Sequence, residues 1–401
     1  MASGSIFSAW LRVASSADVA GEGQSIAMVA GEVSGDMLAA RLIEGLRPHL
    51  PGARFHGIGG ARMAQQGFES SVQMDRLTVR GLFEVIPKYR ELKGIQNTLR
   101  DQLLANPPDV FIGADYPGFN LGLEEQLRAA GIPTVHFISP QIWAWRGGRI
   151  KKIIRAVSHM LVIFPFEEEI YRQAGVPVTY IGHPLAEIIP MQPDVSAARQ
   201  RLGLNSDQRV VTVMPGSRMG ELKYLAEPFF QAIELLAARD PDLRFVVPMA
   251  GALQRSHVED IVRALGLSEV QVQLLDGDSH TAIAAADAVL AASGTATLEV
   301  ALFKKPMVIA YKVFRPSYEL MRHMGYQPWI GLPNILAREF LVPELIQHDC
   351  TPARLADAVW GQLSDAAGRV KLVQRFTDMH HSLLRDSAKA SAAAVLSVLA
   401  K

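Results

Sequence analysis

An apolar run, a turn of small residues and a helix start follow one another between residues 288 and 303. The run at 288–292 predicts a buried parallel strand, and helical spacing of apolar residues begins at Thr295. Such a turn directs unpaired backbone N–H groups and a helix dipole to one place, which suits a diphosphate. The residues expected to hold it are Ser293, Gly294, Thr295, Ala296 and Thr297. Glu299, one helical turn later, can accept hydrogen bonds from a ribose, although an ordinary capped turn has the same pattern.

A carboxylate follows another predicted strand directly. Asp115 comes after the apolar run at 110–114, and Pro117-Gly118 predicts a tight turn behind it. A side chain at the carboxyl end of a parallel strand faces the ligand cleft, so Asp115 is placed to act as a general base. The alternative is an aspartate that caps the next helix, but Asn120 is as good a cap for a helix at 120–130. Asn120 is also a candidate contact for a substrate sugar or phosphate.

Two further strand-to-helix turns carry candidate ligand contacts. Gly31, Ser34, Gly35 and Asp36 follow the first strand, where their N–H and hydroxyl groups can meet a phosphate or a sugar. A plain capped loop would give the same pattern. In the second half of the chain the corresponding turn contains Gly216, Ser217 and Arg218. The planar guanidinium of Arg218 can reach a diphosphate, while the other two residues supply close donors.

The stretch 139–155 combines two tryptophans with five cations and no acidic residue. Trp143 and Arg146 are its candidates for contact with a substrate phosphate or anionic head groups, and a solvated helix face is the alternative. Helical spacing of Ile150, Ile153, Ile154 and Val157 predicts that these side chains form the buried face of a helix. Three candidate ligand contacts lie on proline-marked loops: the amide of Asn334 for the nucleotide, and the carboxylate of Glu344 and the amide of Gln347 for a substrate sugar or phosphate.

The stretch 79–89 is apolar but interrupted by charge. Its candidates for membrane or acyl-chain contact are Leu82, Phe83, Val85 and Ile86. An interior position in the core is the alternative for all four residues.

The composition limits the function classes. The 40 Lys and Arg residues balance 40 Asp and Glu residues, so no overall field attracts nucleic acid. The one cysteine, Cys350, excludes an internal disulfide framework and fits a reducing cytoplasm. No apolar segment is long enough for a membrane span or a signal peptide, and no histidines at metal spacing point to a metal site except His380-His381 in a helical tail. The motifs of P-loop, dinucleotide-binding, zinc-protease and serine-hydrolase sites are absent.

Short apolar runs alternate with helical spacing along most of the chain, which predicts two doubly wound parallel α/β domains. Strands are predicted at 26–30, 54–58, 110–114, 134–138, 160–164, 178–181, 210–214, 245–247, 270–274, 288–292 and 307–310. The predicted divisions are a loose extension at 1–24, a first domain at 25–190, a second at 191–368 and C-terminal helices at 369–401 that pack back on the first domain. Ligands are expected in the cleft between the domains.

The motifs together resemble the lipid-A-disaccharide synthase family. The matching segments run in order from residue 26 to the end: GEVSGD at 31–36, GLFEV at 81–85, SPQIWAWR at 139–146, FPFE at 164–167, GHPL at 182–185, PGSR at 215–218, SGTATLE at 293–299 and LPN at 332–334. The resemblance implies a GT-B fold and a metal-independent glycosyltransferase without a cofactor. The implied donor is UDP-2,3-diacylglucosamine and the implied acceptor is 2,3-diacylglucosamine 1-phosphate, joined through a β-1,6 bond.

The resemblance also implies roles for individual residues. Asp115 matches the family's acidic residue proposed as base, and Arg218, the 293–299 turn and Asn334 match its nucleotide side. Residues 81–85 match its membrane-contact region, which implies peripheral attachment to the cytoplasmic face of the inner membrane. Whether the chain forms a homodimer is left open. Two alternatives remain: a UDP-sugar 2-epimerase with the same architecture, and a non-catalytic nucleotide-binding or scaffold protein.

Overall fold

The computed structural model describes residues 23–77, 85–144, 147–267, 271–321 and 327–401. The first domain contains a seven-stranded parallel sheet in the order β3-β2-β1-β4-β5-β6-β7. Its strands are β1 Ser25–Ala30, β2 Arg54–Gly59, β3 Glu69–Gln73, β4 Val110–Ala114, β5 Thr134–Phe137, β6 His159–Val162 and β7 Val178–Tyr180. Its helices are α1 Val33–Leu46, α2 Ala61–Gln65, α3 Val85–Ala105, α4 Pro117–Ala129, α5 Ile150–Ala156, α6 Pro165–Gln173 and α7 Pro184–Ile188.

The second domain contains a six-stranded parallel sheet in the order β10-β9-β8-β11-β12-β13. Its strands are β8 Val210–Met214, β9 Arg244–Met249, β10 Val272–Asp276, β11 Ala288–Ala292, β12 Met307–Tyr311 and β13 Glu344–Ile346. Its helices are α8 Val195–Arg201, α9 Met219–Arg239, α10 Ala252–Ala264, α11 Ser279–Ala285, α12 Thr295–Leu302, α13 Arg315–Met321, α14 Leu332–Ala337 and α15 Pro352–Ser364. Two helices follow, α16 Ala366–Leu383 and α17 Ser387–Leu399.

The central strands are apolar along their whole length because helices cover both faces of each sheet. Every residue of β4 and β11 is buried. In each domain the strand order reverses beside the first strand, between β1 and β4 and between β8 and β11. Ligands of such sheets bind outside the carboxyl ends of the strands at this point. The turns that follow these four strands are therefore the ones that the fold places at the cleft.

Both domains contain an edge strand that the sequence did not predict. β3 reads Glu-Ser-Ser-Val-Gln and has no apolar run, because an edge strand packs fewer side chains against the core. β13 is three residues long and pairs with β12 at the other sheet's edge. The prediction of β5 to residue 138 was one residue too long, because Ile138 has a φ of 77° and leaves the extended conformation.

The two C-terminal helices connect the domains, because one packs on the second domain and the other on the first. α16 packs Phe376 and Leu383 into the core of the second domain, together with Ile189, which follows α7. The chain then turns at Leu384 and α17 packs on α1, burying Val395 among the side chains of the first domain. The helices approach closely at Gly45, where a Cβ atom would lie 2.6 Å from the carbonyl oxygen of Ala388. The helical spacing at 370–399 thus belongs to two helices.

Candidate active site

The turns after β1 and β4 face the start of α12 across a single cavity between the domains. Its volume is about 500 Å³. Ser34, Asp115 and Glu167 line it from the first domain, and Thr295 and Glu299 line it from the second. The cavity therefore brings together several of the predicted base, sugar and nucleotide residues, although they are up to 265 positions apart (299 − 34) in the sequence.

The backbone holds Asp115 in an unusual conformation. Asp115 and Tyr116 have φ values of 55° and 49°, in the left-handed region that L-residues other than Asn and Asp rarely adopt. The Asp115 N–H donates to the carbonyl oxygen of Phe137 at 2.7 Å. Its Oδ1 accepts from the N–H of Tyr116 at 2.8 Å, and its Oδ2 accepts from the Ser34 hydroxyl at 3.4 Å. One carboxylate oxygen is thus weakly held and half-exposed at the cavity wall.

The predicted cap of α4 was wrong. The helix begins at Pro117 with Tyr116 as its N-cap, because proline suits the first helical position. Asn120 lies inside the helix, is fully buried, and donates to the carbonyl oxygens of Asp115 at 2.7 Å and Val29 at 3.3 Å. Its side chain therefore fixes the backbone of Asp115 from below and does not face the cavity.

The predicted ligand residues in the turn after β1 have two different uses: one faces the cleft and the others support the fold. Gly31 is buried against Tyr116, where a Cβ atom would lie 2.4 Å from the ring, and Gly35 approaches the carbonyl oxygen of Ala114. Ser34 is exposed beside Asp115. Asp36 is buried, and its carboxylate accepts from the N–H groups at the start of α2, at 2.8 Å from Gly60 and 3.1 Å from Met63. The structure thus uses Asp36 as a helix cap and not as a ligand contact.

The sequence did not single out Glu32, which faces this part of the cleft. Burial and the negative charge of Asp115 raise the pKa of Glu32, and the positive charge of Arg218 lowers it. Arg218 lies at the start of α9, where its backbone N–H and that of Ser217 donate to Glu221. The Arg218 side chain is 81% exposed and its guanidinium lies 3.3 Å from Glu221. Gly216 has a φ of 118°, which favours glycine in this turn.

The turn after β11 exposes part of its backbone to the cavity. Gly294 and Thr295 are exposed, and Ala296 is half-buried. The Ser293 hydroxyl donates to the carbonyl oxygen of Ile330 at 3.1 Å. Thr297 is fully buried and its hydroxyl donates to the carbonyl oxygen of Gly294 at 2.8 Å, so it shapes the turn from inside.

His280 was missed by the sequence analysis although it contacts a predicted ribose residue. Its Nε2 lies 3.3 Å from Oε2 of Glu299, and this hydrogen bond raises the pKa of the imidazole. Both side chains lie on helices of the second domain, α11 and α12. Lone histidines at helical spacing carry no sequence signal for such a contact.

Asn334, Glu344 and Gln347 form a buried network and not a cavity wall. Asn334 is fully buried, donates to Val342 and Glu344, and accepts two backbone N–H groups. Glu344 accepts the N–H of Gly331 at 2.8 Å, and burial raises its pKa. Gln347 is buried and exchanges two hydrogen bonds with the backbone of Val313. These residues hold the loop that contacts Ser293, and their amides are used within the chain.

A buried carboxyl group supports the tryptophan side of the cavity. Trp143 is 7% exposed and donates from Nε1 to Glu167 at 3.1 Å, while Phe164 donates its N–H to the other oxygen at 3.1 Å. Burial raises the pKa of Glu167 to about 7, against these hydrogen bonds. His183 also lines the cavity, and burial lowers its pKa to about 4. Sequence reasoning assigned no role to Glu167.

Some predicted contacts cannot be placed. Arg146, Leu82 and Phe83 lie outside the described residues, as do residues 1–22 of the predicted extension. Val85 and Ile86 begin α3. The predicted buried face of α5 was partly wrong, because Ile154 is 42% exposed while Ile153 is fully buried.

Within the described ranges, no helix combines the length and the hydropathy needed to cross a membrane. The same residues contain no group of three or more His, Cys, Asp or Glu side chains arranged to hold a metal ion.

Comparisons with known proteins agree on the family and the fold. A family model described as lipid-A-disaccharide synthetase matches residues 26–398. The lipid-A-disaccharide synthase of Azoarcus sp. (strain BH72) is 50% identical over 93% of this chain and 96% of its own length. That of Burkholderia lata is 52% identical over 93% of this chain and 96% of its own.

Solved structures with low sequence identity have the same two-domain fold. A putative UDP-N-acetylglucosamine 2-epimerase from Listeria monocytogenes has a TM-score of 0.62 at 12% identity, over 94% of this chain and 96% of its own. MurG of Acinetobacter baumannii has a TM-score of 0.56 at 15% identity, over 94% of this chain and 100% of its own. The predicted GT-B architecture is confirmed, and by the match over nearly its whole length the chain belongs to the lipid-A-disaccharide synthase family.

Proposed function

We propose that the chain transfers a 2,3-diacylglucosamine unit from UDP to the 6-hydroxyl of 2,3-diacylglucosamine 1-phosphate. The products are the β-1,6-linked disaccharide 1-phosphate of lipid A biosynthesis and UDP. The observation that carries the proposal is the shared cavity: the Asp115 carboxylate and the start of α12 line it from opposite domains. An acceptor sugar held by one domain can thereby meet a nucleotide sugar held by the other.

Asp115 is the proposed general base. Among the described residues, its Oδ2 accepts only a long hydrogen bond from Ser34, at 3.4 Å, so it can accept the proton of the acceptor hydroxyl. As the proton leaves, the hydroxyl oxygen attacks the anomeric carbon of the donor and the bond from that carbon to the UDP oxygen breaks. A single displacement of this kind inverts the configuration of the anomeric carbon. The left-handed backbone and Asn120 below it keep the carboxylate in one position.

The second domain is proposed to stabilise the departing UDP. Negative charge collects on its diphosphate as the sugar bond breaks, and preorganised donors lower the barrier most where charge develops. The exposed backbone at Gly294 and Thr295 offers N–H groups at the start of α12. The largely exposed guanidinium of Arg218 can add a cation, and Glu299 is proposed to bind the ribose.

The substitution Asp115→Asn tests the base directly. We expect it to lower kcat by about 10²- to 10⁴-fold, because the amide cannot accept the proton. The affinity for UDP is expected to stay within about twofold, since the nucleotide contacts lie in the other domain. Asp101→Asn is the matched control, because that carboxylate is 66% exposed on α3 and paired with Arg100. Turnover of Asp115→Asn close to that of the control would remove Asp115 from the mechanism.

The products separate transfer from the alternatives. We expect UDP release to require the lipid acceptor and to equal disaccharide formation. Epimerised UDP-sugar without acceptor would favour a 2-epimerase, and UDP binding without turnover would favour a scaffold protein.

We further propose that the chain attaches peripherally to the cytoplasmic face of the inner membrane, where both lipid substrates are available. The resemblance of residues 81–85 to the family's membrane-contact region supports this attachment. Sedimentation of the full chain with lipid vesicles tests it, and light scattering of the same preparation tests whether it is a homodimer.

A further inference from the structure

A second cavity lies between α3, α4 and α5 in the first domain, next to the turn that contains Asp115. Its volume is about 360 Å³. Lys93 lines it from α3 and Lys152 from α5, and Gly118 and Gly122 line it from α4. Tyr116, the residue next to Asp115, contributes to its wall. The mechanism proposed above assigns this cavity no role.

The cavity is cationic. The described residues that line it include two lysines and no acidic side chain. Within the described part of the chain neither ammonium group has an ion-pair partner. The buried carboxylate of Glu124 attracts Lys152 but is itself bound to His136 at 2.7 Å. The two charges are therefore available to an anion from outside.

A buried amide holds the first of these cations in place. Lys93 Nζ donates to Oε1 of Gln96 at 2.6 Å, and Nε2 of Gln96 donates to the carbonyl oxygen of Phe119 at 2.5 Å. Gln96 is 4% exposed, so the pair of hydrogen bonds is shielded from water. A lysine on a free helix face has no such support.

The two glycines keep the floor of the cavity open beside the second cation. A Cβ atom on Gly122 would lie 3.3 Å from Nε2 of Gln96 and 3.6 Å from Nζ of Lys152. Gly122 therefore lies next to both Lys152 and Gln96, the residue that holds Lys93. Gly118 lies one turn earlier on the same face, and glycine is less favourable than alanine in the interior of a helix such as at Gly122.

The walls of the cavity suit a lipid more than a free ion. Tyr89, Leu92 and the stacked rings of Tyr116 and Phe119 line it, and Tyr89 is 67% exposed at its rim. Charged groups at the bottom and apolar walls above them fit an amphiphile with a phosphate group.

We propose that this cavity binds the 1-phosphate of the glycolipid acceptor, an inference that rests on the proposed function. The 1-phosphate is attached to C1 and the 6-hydroxyl to C6, which extends from C5, so the two groups leave the hexose from the carbons on either side of the ring oxygen. From Pro117, beside the base, to Gly122 is five residues of α4, or about 7.5 Å at 1.5 Å per residue. That spacing lets Asp115 meet the hydroxyl while Lys93 and Lys152 meet the phosphate.

Binding of two acceptors in detergent micelles tests the proposal without turnover. The probes are 2,3-diacylglucosamine 1-phosphate and the same lipid without its phosphate. We expect Lys93→Gln and Lys152→Gln each to weaken binding of the phosphorylated lipid about tenfold and to leave the other lipid unchanged. Lys151→Gln is the matched control, because Lys151 is exposed on the same helix and does not line the cavity.

Gly122→Ala adds a test that does not depend on a charge. The alanine should make α4 more stable, yet its Cβ should displace Gln96 and weaken binding of the phosphorylated lipid. Unchanged UDP affinity in all variants shows that the second domain is intact.

The outcomes distinguish the phosphate site from other roles. The proposal would be overturned if the lysine variants lost affinity for both lipids equally, or if they kept full affinity for both. The proposal would also be overturned if the lysine variants no longer bound phosphatidylglycerol vesicles but still preferred the phosphorylated acceptor. The cavity would then bind membrane phospholipid and not the acceptor. If the preference depends on both lysines but the wild-type chain transfers no sugar, the subsite stands and the proposed function fails.

Discussion

Replacing Glu167 by glutamine should change how the stability of the protein depends on pH. The carboxyl group is 2% exposed, and burial raises its pKa from 4.5 to about 7. The folded chain therefore keeps a proton at pH values where the unfolded chain has lost it. The stabilisation is fully present below about pH 4.5 and is lost as the pH rises through about 7.

The magnitude follows from these two pKa values. Each pKa unit corresponds to about 1.4 kcal/mol, so the wild-type protein should lose about 2.5 kcal/mol from this group between about pH 5 and about pH 8.5. The glutamine is neutral throughout and keeps one oxygen to accept from Trp143 or Phe164. We therefore expect the difference in the free energy of unfolding, variant minus wild type, to rise by about 2.5 kcal/mol over that range.

Urea unfolding followed by circular dichroism at both pH values measures this difference. Other titrating groups cancel between the two proteins, including His183, whose lowered pKa acts in the opposite direction. The control is Glu168→Gln, the next residue, whose carboxylate is 36% exposed and pairs with Arg172 on the surface. A wild-type-to-variant difference that is the same at both pH values would refute the argument that Glu167 is neutral in the folded protein near pH 6.

Three other substitutions follow from buried contacts. Asn334→Ala removes four hydrogen bonds and should cost about 3–5 kcal/mol, measured by urea unfolding. Gly113→Ala places a Cβ atom within 3 Å of the buried Glu124 carboxylate and should lower the melting temperature by several degrees, unlike Gly361→Ala at an exposed helix position with open space around it. Asn120→Ala frees the Asp115 carbonyl and should lower kcat more than KM, which steady-state kinetics with the acceptor varied would show.

The sequence predicted the elements whose physics is local. Buried parallel strands are apolar runs, so β4 and β11 were predicted with their observed bounds. The start of α12 at Thr295 was also predicted, but α4 begins at Pro117, where the sequence had predicted a tight turn before a helix at 120–130. β3 and β13 were not predicted because short polar edge strands depend on their neighbours for hydrogen bonds. The cap of α4 was misassigned because proline at its first position outweighs the preference of asparagine for caps.

The side chains at the candidate site also differ in whether the sequence could predict where they lie. Asp115 was recognisable from its position after a strand. Asp36 and Asn334 carry suitable groups, but the structure uses them within the chain, and only tertiary packing decides between the two uses. Glu167 gave no signal as an acidic residue at a helix start, since its burial comes from the packing of Trp143 and Phe164 around it.

The contact of α17 with α1 has a consequence for biosynthesis. The ribosome completes the first domain's sheet long before it makes α17, because the whole second domain is translated in between. Until then the face of α1 that contains Gly45 lacks the helix that covers it in the finished protein. Domains generally fold as units in the order of synthesis, so this one should dock its last helix only after its neighbour has emerged. Chains that end before Ser387 and the complete chain should differ in the protease resistance of α1.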